Sequence, residues 1–214
     1  MTEKSVVLLG DSILDNGPYT RPEPDTTSHL RRLLPDWSVR RLAQDGATMG
    51  SVPAQLSRIG GRVGTVVLSA GGNDAVEHIG LLSMPATNST EVLGRLLDIA
   101  DDFGRRYESM ARAVARHADR TILCTIYEVP LEPVRFAQLA RVPLALLNDR
   151  IVRIAIRFAM DVLELRSVCT EPGDFVLQIE PSARGALKIA EAIAGLLDVH
   201  PPVPAARVFG ARRE

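Results

Sequence analysis

The stretch Val6-Val7-Leu8-Leu9-Gly10-Asp11-Ser12-Ile13-Leu14-Asp15 decides the fold. Its unbroken apolar run, partly β-branched, predicts a strand buried on both faces, as in a parallel sheet. The run stops at Gly10, and an acid and a serine follow at once. That order puts the Ser12 hydroxyl at the carboxyl edge of a sheet, where open α/β sheets bind ligands. A serine there is either a nucleophile or the N-cap of the next helix.

Two further stretches share the pattern. Val66-Val67-Leu68-Ser69-Ala70-Gly71-Gly72-Asn73-Asp74 is a second buried-strand run that ends in glycines and an asparagine. Between the two, Leu42-Ala43-Gln44-Asp45-Gly46-Ala47-Thr48 reads as a strand end turning through a glycine. Gly-Asp-Ser, then a loop glycine, then Gly-Gly-Asn-Asp, in this order, resembles the SGNH (GDSL-type) hydrolase superfamily. That family is named for a Ser, a Gly, an Asn and a His from four sequence blocks, and Ser12, Gly46 and Asn73 match the first three. The resemblance runs from about residue 5 to residue 197.

The fourth block departs from the family. Its pattern is Asp-x-x-His-Pro followed by a small residue and a glycine, whereas this chain reads Leu177-Gln178-Ile179-Glu180-Pro181-Ser182-Ala183-Arg184-Gly185. The Pro181, Ser182 and Gly185 frame is kept, but Glu180 stands at the histidine position and Leu177 at the aspartate position. The usual base and its orienting acid are both absent.

The rest of the chain alternates in type. Strand runs near residues 5–10, 37–43, 65–69, 122–126 and 161–165 are separated by helical spacings at 27–34, 51–59, 90–117 and 143–160, with a closing helix at 182–197. Pro143 fits the first turn of its helix, where the ring costs no hydrogen bond. Residues 15–25, dense in turn formers, predict a loop beside Ser12, and 75–85 has no clear period. Five strands alternating with helices imply a three-layer α/β domain around a parallel sheet. Right-handed crossovers then favour the flavodoxin-like strand order 2-1-3-4-5, which the resemblance also implies. One domain over residues 1–200 and an extended Pro/Arg-containing tail over 201–214 complete the expected layout.

A chain of 214 residues, 46% hydrophobic, buries one substantial core. A net charge of −1 offers no basic field for nucleic acid or a membrane surface. No apolar run approaches the roughly 18 residues of a membrane span, and Met1-Thr2-Glu3-Lys4 leads straight into the first strand without a signal-peptide pattern. A cytoplasmic protein without nucleic-acid or membrane partners is expected. Cys124 and Cys169 predict buried free thiols rather than a disulfide framework, and four scattered histidines predict no metal and no cofactor.

Acyl transfer through a serine needs a nucleophile, a base and donors for the oxyanion. The resemblance implies that Ser12 attacks, while the Ser12 and Gly46 main-chain amides and the Asn73 carboxamide hold the oxyanion. Glu180 stands where the family's base reaches the serine. It becomes a workable base once burial raises its pKa; otherwise it caps the last helix or pairs with Arg184. Of the histidines, only His78, five residues after Asn73, falls at the correct sheet edge. Asp11 and Asp15 flank Ser12, either satisfying turn amides or orienting a loop across the site. The expected function is an esterase or acyl hydrolase of a small-molecule ester, nucleophile Ser12. A catalytically silent relative that binds a ligand or partner, and an acyltransferase, are the alternatives.

Overall fold

The structure, a computed structural model, describes residues 4–197. Strand β1 (Ser5–Gly10) is buried throughout, as its continuous apolar run requires. It pairs in parallel with β2 (Ser38–Arg41) on one side and β3 (Val63–Ser69) on the other, with Val7 opposite both Arg40 and Val66. Strands β4 (Ala118–Cys124) and β5 (Asp161–Leu163) extend the parallel sheet to the order β2-β1-β3-β4-β5. The direction of winding reverses between β1 and β3, so Ser12 and Asn73 leave the sheet on either side of the crevice where such folds bind ligands.

Side chains alternate across the sheet and build a core on each face. Val7, Leu9, Val66, Leu68 and Leu123 point to one face. There they meet helices α3 (Val52–Leu56), α5 (Ser89–Ala115) and α6 (Val134–Arg157) through Val52, Phe103, Tyr107 and Ile151. Val6, Leu8, Val67 and Ile122 point the other way, onto α2 (Thr26–Leu33) and α7 (Ala183–Leu197) through Leu30, Ile189 and Ile193. The three-layer architecture expected from the alternating pattern is the one observed. Cys124 and Cys169 are buried free thiols.

Several local expectations give way to packing. The turn-rich segment after Ser12 carries a short helix, α1 (Gly17–Thr20), opened by Pro18 at its first turn. Residues 72–76 form helix α4 (Gly72–Val76), and a 3₁₀ turn follows at Ile79–Ser83. Pro143 lies inside α6 rather than at its start, because the helix begins nine residues earlier, after Pro133. Burial of Leu147, Ile151 and Ile154 holds the ring within the helix despite the lost backbone bond, a defect of roughly 3 kcal/mol in an exposed helix. A two-stranded hairpin not legible in the sequence, β6 (Phe175–Val176) with β7 (Glu180–Pro181), sits ahead of α7. The expected tail at 201–214 falls outside the described residues.

Candidate active site

The site starts with the geometry of Gly10. At φ +116° its Cα lies so near β3 that a Cβ would sit 1.5 Å from the Ser69 carbonyl oxygen, so only glycine fits. The Asp11 amide donates to that same oxygen at 2.9 Å. The chain then turns sharply: Leu14 and Asp15 amides donate to the Asp11 carbonyl, and the Ile13 amide donates to Asp11 Oδ1 at 3.2 Å. This turn lifts the Ser12 hydroxyl to the floor of a cavity at the carboxyl edge of the sheet.

Asn73 reaches the same cavity from the start of α4. Its Nδ2 donates one hydrogen to the Ala47 carbonyl at 2.9 Å, which fixes the carboxamide and leaves the second hydrogen available. Ala47 follows Gly46, a turn residue at φ +73° that is not among the residues lining the cavity. Among the described residues, neither the Ser12 nor the Gly46 amide finds an acceptor. The turn itself is tied down by side chains: the Asp45 amide donates to Asp15 Oδ2 at 3.0 Å, and Tyr19 donates to Asp45 Oδ2 at 2.8 Å. Arg41 pairs with Asp15 and Asp25 at 2.8 and 2.9 Å. Asp15 therefore holds the Gly46 turn rather than facing the cavity.

Glu180 enters from the hairpin. Ile179, next to it, accepts the Tyr127 hydroxyl at 2.7 Å, and Gln178 at the hairpin tip accepts the Glu132 amide at 3.1 Å. Glu180 thus sits on a strapped strand, not at a helix cap as the alternative reading had it. Ser182 caps α7 instead, its Oγ accepting the Gly185 amide at 3.2 Å, while Arg184 pairs with Asp174. Leu177, at the family's aspartate position, is 76% exposed at the hairpin tip with φ +48° and has no part in the cavity.

The Glu180 carboxyl stands beside the Ser12 hydroxyl. Burial pushes its pKa up, the hydroxyl pulls the other way by favouring the ionised form, and the Asp45 charge adds to the rise. The contact stops short of a full hydrogen bond: Oε2 is enclosed and accepts none. A buried carboxylate oxygen without a donor is rare, and a hydroxyl turned toward it would satisfy it. Asp11, buried behind the serine, is pushed up to about 7, chiefly by desolvation. Donors from Ile13 and Ser69 oppose the rise, and the Glu180 charge reinforces it. Ser12, Asn73, Glu180 and Asp11 thus meet at one cavity. His78 reaches only its exposed mouth.

The cavity measures about 150 Å³ and is walled mainly by aliphatic side chains from the loops after β3 and β4 and from α5 and α6. The sequence marks 75–88 and 128–142 as loops that shape the pocket, and both contribute walls, whereas Tyr127 and the wall residues Ile99, Leu144 and Leu147 have only a core pattern. Among the described residues no cluster of His, Cys, Asp and Glu is placed to hold a metal ion. No helix of the described residues is long and apolar enough to cross a membrane.

Comparison with solved structures places this architecture. The acetylxylan esterase Axe2 of Geobacillus stearothermophilus superposes with a TM-score of 0.65 at 16% identity, over 93% of this chain and 96% of that one. An extracellular lipase of Streptomyces rimosus gives 0.67 at 13%, over 90% and 99%. LAE5, an alpha/beta hydrolase enzyme from the metagenome of Lake Arreo, Spain, gives 0.67 at 19%, over 92% and 98%. By sequence, no family model and no curated protein matches the chain. The fold is that of the SGNH hydrolases.

Proposed function

We propose that the chain is a serine hydrolase of the esterase type acting on a small-molecule ester, with Ser12 as nucleophile and Glu180 as base. The observation that carries this reading is the convergence of Ser12, Asn73 and Glu180 on one cavity, the Glu180 carboxyl beside the Ser12 hydroxyl with one oxygen buried and unpartnered. Esterase and lipase are also the named activities of structural neighbours.

The chemistry follows from the groups present. Ser12 Oγ attacks the ester carbonyl carbon as its proton passes to Glu180, and the carbonyl electron pair moves onto oxygen. The Ser12 and Gly46 amides and the remaining Asn73 N–H receive that oxyanion; one such donor is worth about 3 kcal/mol of barrier. Collapse breaks the ester C–O bond, and the leaving alkoxide takes the proton from Glu180. Water then attacks the acyl-serine by the same route and releases the acid. Burial matters here because a carboxylate with an ordinary pKa near 4.3 is a poor base for a hydroxyl. Asp11, buried behind the serine, accepts from the Ile13 amide and the Ser69 hydroxyl and supports the turn.

The test is direct. Wild-type protein should hydrolyse short p-nitrophenyl esters and take up a fluorophosphonate at Ser12, and Ser12→Ala should do neither. Full activity in Ser12→Ala would overturn the assignment. Absence of both turnover and labelling in wild type would instead mark a site that binds without cleaving.

A further inference from the structure

Beyond the catalytic end, the cavity is chemically one-sided. Ile79, Leu81, Ile99, Ile126, Leu144 and Leu147 form its walls, drawn from four separate elements. The polar groups that share those walls are already engaged. The Ser69 hydroxyl donates to Asp11 Oδ1 at 3.1 Å. The Thr125 hydroxyl donates to Glu164 at 2.7 Å and accepts the Leu165 amide at 2.9 Å. Among the described residues, the His78 side chain finds no partner, and it is exposed at the mouth. A sugar or peptide placed here would lose its hydration and find no donors or acceptors in return, at a cost of about 1–3 kcal/mol per buried polar group.

Size sets the second limit. A cavity of about 150 Å³ walled by aliphatic groups is of the order that admits a six-carbon ring when dry. It is far larger than an acetyl group needs.

We infer that this cavity takes the acyl part of the substrate, and that the substrate class is esters of unbranched aliphatic acids with roughly six carbons or more enclosed. This rests on the serine-hydrolase reading above. The carbonyl sits at Ser12 with its oxygen toward Asn73, the hydrocarbon chain runs between the loops after β3 and β4 toward α5 and α6, and the alcohol leaves on the solvent side. The walls do not bond to the chain; they favour it by removing it from water, so selectivity grows with each methylene buried.

The experiment uses p-nitrophenyl esters from acetate to dodecanoate. kcat/KM should rise roughly two- to fourfold per added methylene up to about six carbons and then level off. Ala140, small and half-buried, lines the α6 wall, so Ala140→Phe should cut the octanoyl-to-acetyl ratio of kcat/KM at least tenfold. Leu144→Phe on the same wall serves as an independent second variant. Octanoate binding to Ser12→Ala protein, read by displacement of a fluorescent apolar probe, gives a readout that needs no turnover, and Ala140→Phe introduced into that background should weaken it. Ser12-dependent turnover that is flat with chain length, or greatest on acetate, would overturn the acyl assignment and leave the hydrolase reading intact. Octanoate binding without turnover or fluorophosphonate labelling would overturn the hydrolase reading while retaining the apolar ligand class.

Discussion

Gln55 brackets Gly10 with both ends of its carboxamide. The Gly10 amide donates to Gln55 Oε1 at 2.7 Å, and Gln55 Nε2 donates to the Gly10 carbonyl at 2.8 Å. Gln55 is 1% exposed, so the pair is formed out of water and 45 residues of chain are closed by it. Gln55→Leu should strand the Gly10 amide while the carbonyl keeps its bond from the Gln44 amide. The expected loss is about 1–3 kcal/mol for the orphaned donor, measured by urea unfolding. Because Gly10 aims the Ser12 turn, esterase kcat should fall as well, with KM less affected.

Much of the framework was legible because it is periodic. The runs at Val6–Leu9 and Val66–Leu68 read as buried strands, and the order of Gly-Asp-Ser, Gly46 and Asn73 pointed to one sheet edge. The clamps were harder to read, although they left a trace. Val52, Gln55, Leu56 and Ile59 occupy one helical face by spacing, as do Leu144, Leu147, Asn148 and Ile151. A lone amide on each apolar face marks a buried side chain that must find partners. Asn148 finds them in the Ile126 amide and carbonyl, both at 2.8 Å. Glu180 was misjudged as a possible cap because nothing in Phe175–Pro181 alternates long enough to announce a hairpin. The walls that α5 and α6 supply, Ile99, Leu144 and Leu147, were invisible for a different reason: an aliphatic residue lining a void and one filling a core have the same pattern.

The oxyanion side of the proposal predicts a division between rate and stability. Asn73→Ala should lower kcat on the order of a hundredfold or more, with KM little changed, since the lost donor acts on charge that develops in the transition state. It also removes the bond to the Ala47 carbonyl, worth about 1 kcal/mol in folding. Asp15→Ala acts one step back. It frees the Asp45 amide and breaks a partly exposed pair with Arg41, so thermal stability should change by no more than about 1 kcal/mol. A kcat unchanged in Asp15→Ala would show that the Gly46 turn holds its position without that carboxylate.

Glu180→Gln separates the base from the scaffold. The carboxyl's pKa is raised by burial, so wild-type kcat/KM should climb with pH through a midpoint above the ordinary glutamate value near 4.3 and then level off. Gln keeps the shape and loses both the proton acceptor and that rise, and the rate should drop by about 10² to 10⁴. Stability should move the other way. Since the fold disfavours the ionised acid, the neutral amide should make the protein as stable as wild type or more so near pH 8. A pH profile that survives in Glu180→Gln would assign the proton transfer to another group.

Asp11 makes the remaining prediction, and it concerns folding alone. The native state keeps this carboxyl protonated up to about pH 7, against an ordinary value of 3.8. Between those limits the folded chain binds more protons than the unfolded one, so the contribution of Asp11 to stability is greatest below pH 3.8 and declines as pH rises through about 7. At about 1.4 kcal/mol per pH unit over this interval, the decline reaches roughly 4 kcal/mol at most. Asp11→Asn retains an oxygen to accept from Ser69 and Ile13 and carries no charge at any pH. Urea unfolding should therefore show the variant more stable than wild type at pH 8 and nearly equal to it near pH 4. A difference that stays constant across that range would mean that Asp11 does not titrate in the interval and that its carboxyl is ionised in the native protein throughout.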